Sequence, residues 1–299
     1  MFRFIQCSDW HLTPPPGSGR PTALKQRLGM ISWRLNRHRR HRREVFDAAL
    51  RIWRQTPVDR FCVVGDLVNF ALPAEFRAAA AELTALEKLA PVSLVPGNHD
   101  ALVRSGTGEQ AAHWSRWLRG DAAEAEGLAV WRQGPVAVLG LTSAVATAPF
   151  MAWGKVTVGQ VAAVEDRLRQ LRQDGAFRIV MIHHPPQTGA AGWRRGLHHA
   201  SALREALRRV GAELVLHGHL HHPVRASLPG PEGPIPVCGT GSASYLARTP
   251  GGRCGQFNLF HLAGAPGQWR LTVTDYRHNP LDGEFHATTP QPEACFPSL

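Results

Sequence analysis

The chain has 299 residues with 34 Lys and Arg against 23 Asp and Glu, a formal charge of +11, and it is 43% hydrophobic and 19% charged. That composition fits a soluble globular protein and excludes a membrane-spanning one, because no apolar run reaches the ~18 residues a span requires. Five scattered cysteines (Cys7, Cys62, Cys238, Cys254, Cys295) include no Cys-x-x-Cys pair. A thiolate zinc site is thereby excluded, and reduced thiols are expected.

In chain order, short aliphatic runs predict strands at Phe2–Cys7, Phe61–Val64, Val92–Val95, Val136–Gly140, Arg178–Ile182, Glu213–Leu216, Ile235–Cys238, Phe257–Leu262 and Trp269–Tyr276. Helix-period stretches fall between them at Arg43–Gln55, Ala74–Leu89, Glu109–Arg119, Val158–Gln173 and Ala200–Val210. In the first of these helices Val45, Phe46, Ala49, Leu50 and Trp53 share one face. The alternation is that of an α/β fold, pictured as two facing sheets flanked by helices. The last four strands have little helix between them and are expected to form an antiparallel second sheet. Loops are expected at Pro14–Gly19, Arg104–Gly108 and Gln187–Gly196, the last carrying Trp193, Arg194 and Arg195.

One domain is expected over residues 1–289, with a basic and apolar insertion at about 20–43 and a frayed, Pro-rich tail at 290–299. The apolar start is too short for a cleaved signal peptide, so the expected location is the cytoplasm.

Five blocks follow predicted strands: Asp9-Trp10-His11, Gly65-Asp66, Gly97-Asn98-His99-Asp100, His183-His184-Pro185-Pro186 and Gly218-His219-Leu220-His221. Strand ends are where ligand-binding loops of an α/β sheet converge. On an extended segment, side chains two apart point the same way, so Asp9 with His11 and His219 with His221 are expected to present pairs of ligands. Singly, Asp9, Asp66, Asn98 and His221 read as turn or capping residues. Together, Asp9, His11, Asp66, Asn98, His183, His219 and His221 are seven oxygen and imidazole donors, too many for one tetrahedral ion. The donor mixture suits manganese, iron, zinc or cobalt, and a bridging Asp66 would hold two divalent ions ~3.5–4 Å apart. Gly65, Gly97 and Gly218 are expected to permit close backbone approach, and His184, His217 and His222 to pack beside the ligands.

These blocks, in this order across residues 9–221, resemble the calcineurin-like metallophosphoesterase superfamily, in particular its bacterial cyclic-nucleotide phosphodiesterase-like branch. The resemblance implies a four-layer α/β/β/α sandwich of two facing mixed sheets flanked by helices. It implies one metal on Asp9, His11 and His221 and a second on Asn98, His183 and His219, bridged by Asp66. It also implies that His99 assists the transition state or protonates the leaving oxygen, oriented by Asp100. The reaction expected is hydrolysis of an anionic phosphate ester, a phosphodiester first, by water activated between the two ions.

The insertion Lys25–Arg43 mixes Leu28, Ile31, Trp33 and Leu35 with a dense basic run. Three readings stand beside one another: a solvated basic helix, a grip on a substrate's phosphates, and peripheral contact with an anionic membrane. The last two suit an alternative substrate, a nucleotide-linked lipid such as UDP-2,3-diacylglucosamine. A nuclease ranks lower, because no nucleic-acid module or base-stacking series accompanies the charge. A non-catalytic scaffold also ranks low, because every ligand position is filled. No obligate protein partner is expected.

Overall fold

The computed structural model describes residues 1–122, 124–125, 127–249 and 252–295, the last five in their backbone only. The first half of the chain comprises β1 (Phe2–Cys7), α1 (Leu24–Leu35), a 3-10 turn (Arg37–Arg39), α2 (Arg43–Gln55), β2 (Arg60–Val63), α3 (Pro73–Glu87), β3 (Val92–Leu94), α4 (Ser105–Leu118), β4 (Leu128–Gln133) and β5 (Val136–Leu141). The second half comprises β6 (Gly154–Lys155), α5 (Val158–Gln173), β7 (Phe177–Ile182), β8 (Leu197–His198), α6 (Ala200–Val210), β9 (Leu214–His217), β10 (Val224–Gly230), β11 (Gly233–Gly239), β12 (Gln256–Ala263), β13 (Arg270–Asn279), β14 (Glu284–Ala287) and β15 (Gln291–Cys295).

Two large mixed sheets result. One runs β14-β13-β12-β1-β2-β3 with β15 also on β13, and the other runs β10-β11-β9-β7-β5-β4. β1, β2 and β3 are parallel, as are β5, β7, β9 and β11. Side-chain alternation along these strands separates three layers of core. Ile5, Phe61, Val63, Leu94, Phe257 and Leu259 face the helices carrying Phe46, Trp53, Phe76 and Trp114. Their neighbours Phe4, Cys62 and Phe260 face Val138, Ile179, Met181, Leu214 and Leu216 of the second sheet. On its far side Leu139, Val180, Ile182 and Val215 meet Val164, Leu168, Leu203 and Leu207 of α5 and α6. Helix, sheet, sheet, helix is therefore the layer order, as the resemblance implies.

Local chemistry sets the helix ends. Thr157 Oγ1 accepts from Gln160 N–H at 3.1 Å and Gln160 Oε1 accepts from Thr157 N–H at 2.8 Å, a reciprocal cap for α5. Glu75 performs the second half of this for α3, accepting from Leu72 N–H at 3.0 Å behind Pro73.

Three sequence expectations change. The last four predicted strands do not form one antiparallel sheet. β9 and β11 pair in parallel in the second sheet, whereas β12 and β13 return to the first, where β12 lies antiparallel to β1. A short loop does not reveal which sheet a strand rejoins; the inner-face residues decide it. The expected loop Arg104–Gly108 is mostly the first turn of α4, where a Cβ on Gly106 would lie 2.5 Å from the Asp100 carbonyl oxygen. The expected tail pairs as β15 with β13 over Gln291–Cys295, and residues 296–299 lie outside the described residues. Among the described residues, no helix is long and apolar enough to cross a membrane.

Candidate metal centre

The loops leaving β1 and β2 are joined by their backbones. Asp9 N–H donates to Gly65 O at 2.8 Å, His11 N–H to Asp66 O at 3.0 Å and Leu12 N–H to Leu67 O at 3.0 Å. To keep these bonds while turning their side chains inward, Asp9, His11 and Asp66 take positive φ values of 54°, 41° and 56°. His219 and His221 do the same, at 69° and 56°. Each such residue costs about 1–3 kcal/mol, which the surrounding bonds must offset. Five of the eight non-glycine residues with positive φ among the described residues are thus expected ligands. The pairs converge as expected, but through left-handed turns, not through the two-residue repeat of extended chain.

Glycine lets the loops close. Gly65 has φ 84°, and a Cβ there would lie 2.5 Å from Gly97 N and 2.9 Å from His183 Nδ1. On Gly97 a Cβ would strike the Asp66 side chain.

Each carboxylate spends one oxygen on the backbone and presents the other to imidazoles. Asp66 Oδ1 accepts from His99 N–H at 2.7 Å, while Oδ2 lies 3.8 Å from His11 Nε2 and 3.5 Å from His183 Nε2. Asp9 Oδ2 accepts from His219 N–H at 3.1 Å. Its buried Oδ1 accepts no hydrogen bond, although His221 Nε2 is 3.0 Å away. Asn98 Oδ1 lies 2.9 Å from His219 Nδ1 and 3.3 Å from His183 Nε2.

The imidazoles are pinned from behind. His183 Nδ1 contacts Val64 O at 2.6 Å, His11 Nδ1 contacts Val68 O at 3.3 Å and His219 Nε2 contacts Arg195 O at 2.8 Å. A ring nitrogen that donates to a carbonyl turns the other nitrogen toward the centre, where it can bind metal once it gives up any proton, the arrangement of a metal-binding histidine. Asp9, His11, Asp66 and His221 place donor atoms within 4.8 Å of one another. His183, Asn98 and His219 form a second set, and the free oxygen of Asp66 lies between the two. An orphaned carboxylate oxygen among converging lone pairs fits divalent cations. Burial would raise the Asp66 carboxyl, but His183 and His99 beside it hold it well below the usual carboxylate range. The Asp66 acceptor thus remains charged where cations would sit.

His99 stands at the edge of this cage with Nδ1 2.8 Å from Asn69 O, so its Nε2 faces the centre. Asp100 does not orient it. Its Oδ2 accepts from Asp66 and Gly97 N–H at 2.8 Å, and its Oδ1 from Leu67 and Val68 N–H at 2.9 and 3.1 Å. Asp100 therefore braces the β2 and β3 loops. His184 and His217 are buried beside the ligands with both ring nitrogens engaged, by Ser143 and Ala152 and by Gln187 and Gly218 O respectively, whereas His222 is exposed.

Two residues of the insertion reach the cage without a sequence signal to mark them. Arg37 Nη1 lies 3.4 Å from His99 Nε2, and Nη2 lies 3.3 Å from His11 Nδ1. His41 stacks edge-on to His11 at 4.5 Å between ring centres and can join His11 and His221 as a donor set. Nothing distinguished either from the basic residues around it.

The sequence profile of calcineurin-like phosphoesterases matches residues 2–223. No curated protein sequence matches the chain. Among solved structures, a dimetal phosphatase from Danio rerio is similar over 96% of this chain and 98% of its own, at 14% identity and a TM-score of 0.65. A 5'-nucleotidase precursor from Thermus thermophilus shares 15% identity over 99% of this chain and 56% of its own, with a TM-score of 0.45. Vps29 from Entamoeba histolytica shares 14% over 97% and 99%, with a TM-score of 0.41. The profile covers most of the chain and the first of these structures has its fold, so the chain belongs to the calcineurin-like phosphoesterase family of metal-dependent phosphoester hydrolases.

Proposed function

We propose that the chain hydrolyses a phosphodiester with two divalent ions, one held by Asp9, His11 and His221, the other by Asn98, His183 and His219, and Asp66 shared. The observation that carries this reading is the free oxygen of Asp66, which faces an imidazole of each set at 3.8 and 3.5 Å. Bound ions would supply positive charge to the phosphoryl oxygens and acidify water. The chain's own contribution is to fix the donors, through Asp100 and the pinned imidazoles, and to place two further groups at the cage mouth.

Arg37 is the first of these. Among the described residues its guanidinium makes no ion pair, and it meets ring nitrogens instead. A cation so placed suits a non-bridging phosphoryl oxygen, which guanidinium binds with two donors. His99 is the second. Burial, with Arg37 alongside, lowers its imidazole to about 4, so the ring is neutral in the free chain. An anionic ester lying between Arg37 and His99 would raise it and let Nε2 carry a proton toward the departing oxygen. A diester with an alkoxide leaving group is the substrate for which such a proton matters most.

The test is a manganese-loaded hydrolysis panel of an aryl phosphodiester, cyclic AMP, a phosphomonoester, single-stranded DNA and a nucleoside-diphosphate-linked lipid. The reading expects diesters to exceed the monoester in kcat/KM by at least ~10-fold. A preference for the monoester would overturn the diester assignment, and preference for the lipid diphosphate would replace it.

A further inference from the structure

Helix α1 is amphipathic in an unusual sense, because both of its faces carry apolar residues. Its inner face is seated on the protein. Trp33 packs on Phe70 and Leu72, Gln26 Nε2 donates to Phe70 O at 3.0 Å, and Lys25 Nζ donates to Thr147 O at 3.1 Å. On the opposite face Leu24, Ile31 and Leu35 are 64%, 54% and 72% exposed. Spacings of seven and eleven residues bring these three within about 20° of one line along the helix. Arg27 and Arg34 are exposed beside that line.

Charge sharpens the contrast with the other helices. On α2, Arg43 pairs with Asp47 and Glu82, and on α6, Arg208 and Arg209 pair with Glu205 and Glu165. From His11 to Arg43 there are nine Lys and Arg and no Asp or Glu. Among the described residues Arg20, Arg27, Arg34 and Arg39 form no ion pair with a carboxylate. Two neighbouring loops add exposed aromatic residues. Thr147 ties α1 to the loop bearing Phe150, 82% exposed, and Ala152 N–H donates to Arg194 O at 2.9 Å beside Trp193, 68% exposed.

We propose that this face of α1, with Phe150 and Trp193, docks on an anionic lipid bilayer. An apolar stripe flanked by unpaired arginines matches the acyl boundary and the anionic headgroups above it. Trp at the margin suits the same interface. Charge complementarity selects this occupant. A second copy would bring two acid-free basic segments together, and a nucleic acid would leave Leu24, Ile31 and Leu35 unmatched. The docking is independent of which ester is hydrolysed. Its consequence is that Arg37, two residues beyond Leu35, opens the cage close to the membrane surface.

The experiment is co-sedimentation of the manganese-loaded chain with phosphatidylcholine vesicles, with and without about 30% phosphatidylglycerol. The wild type is expected to partition at least ~10-fold more strongly onto the anionic vesicles and to lose this at high salt. Combining Leu24→Ser, Ile31→Ser and Leu35→Ser is expected to weaken that binding roughly 10- to 100-fold. Arg27→Gln with Arg34→Gln should weaken it roughly 10-fold, and Leu35→Ser alone by a smaller factor. Hydrolysis of a soluble aryl diester serves as the folding control and should stay within ~2-fold in each variant. If the triple variant loses that control, Leu35→Ser and the salt dependence carry the test. Absence of wild-type binding, or binding indifferent to the serine substitutions, overturns the proposal. So does a wild-type dimer that the triple variant abolishes, or a DNA complex that competes with the vesicles and is equally sensitive to those serines.

Discussion

The donor cage and helix α1 are built on opposite terms. In the cage, almost every side chain is fixed twice, once by its function-bearing atom and once from behind: Asp66 through His99 N–H, His183 through Val64 O, and His219 through Arg195 O. Five of its residues accept left-handed backbone to stay there. Helix α1 rests on Trp33, Gln26 and Lys25 and leaves a row of aliphatic side chains in solvent. The contrast teaches that the donor cage is specified by long-range constraint, whereas the face proposed to dock on lipid sits on a lightly held element. The 3-10 turn after α1 is where the two meet.

The largest break in that picture comes from Asp66→Ala. If both donor sets depend on the shared oxygen, bound manganese falls well below two ions per chain by elemental analysis, and turnover falls by roughly 10⁴-fold or more. Two ions retained per chain would dissolve the bridging assignment. Next in size is His99→Gln, which removes no donor of either set. It should keep metal content and slow an alkyl diester by roughly 10²–10⁴-fold, with a much smaller effect on an aryl diester whose leaving group needs no proton. Equal slowing of both esters would make His99 a part of the scaffold.

Asp100→Ala asks whether the double fixing is energetic. Four buried backbone N–H groups would lose their acceptor, at an expected cost of about 3 kcal/mol in unfolding free energy by denaturant titration. A loss below about 1 kcal/mol would mean that the β2 and β3 loops hold their shape without it.

Much of the cage was legible because its residues come in short local blocks, Asp-x-His and Gly-His-x-His among them, each just past an aliphatic run. Nine of the fifteen strands among the described residues were legible for the same reason, since β-branched runs such as Arg178–Ile182 are buried on both faces, whereas β4, β6, β8, β10, β14 and β15 were not. Sheet membership was not, because β1 pairs with β12 across most of the chain and no local pattern encodes that register. β10 was missed because Pro229 and its exposed alternate residues weaken the strand signal, and it proves to be an edge strand, where proline is tolerated. Asp100 sat in the right block, but whether a carboxylate binds an imidazole or four amides depends on the direction in which the β2 loop turns. Arg37 was illegible in a different way. It is one of nine cationic residues in a stretch without acids, and only the turn ending α1 singles it out.

That makes Arg37→Ala the finest test of the comparison, because the residue belongs to the insertion by sequence and to the cage by position. If it holds a phosphoryl oxygen, its loss should leave two ions bound per chain and the fold intact. The same loss should raise KM, and the inhibition constant of inorganic phosphate with it, by roughly 10- to 100-fold, the range of a charge-assisted hydrogen bond. Arg37→Lys should recover only part of this, since an ammonium supplies charge without the planar pair of donors. A fall in kcat alone, with phosphate inhibition unchanged, would assign Arg37 to the orientation of His99, whose Nε2 it faces at 3.4 Å. A fall in metal content would assign it to His11. In either case the insertion would be a structural extension of the cage with no part in recognising the ester.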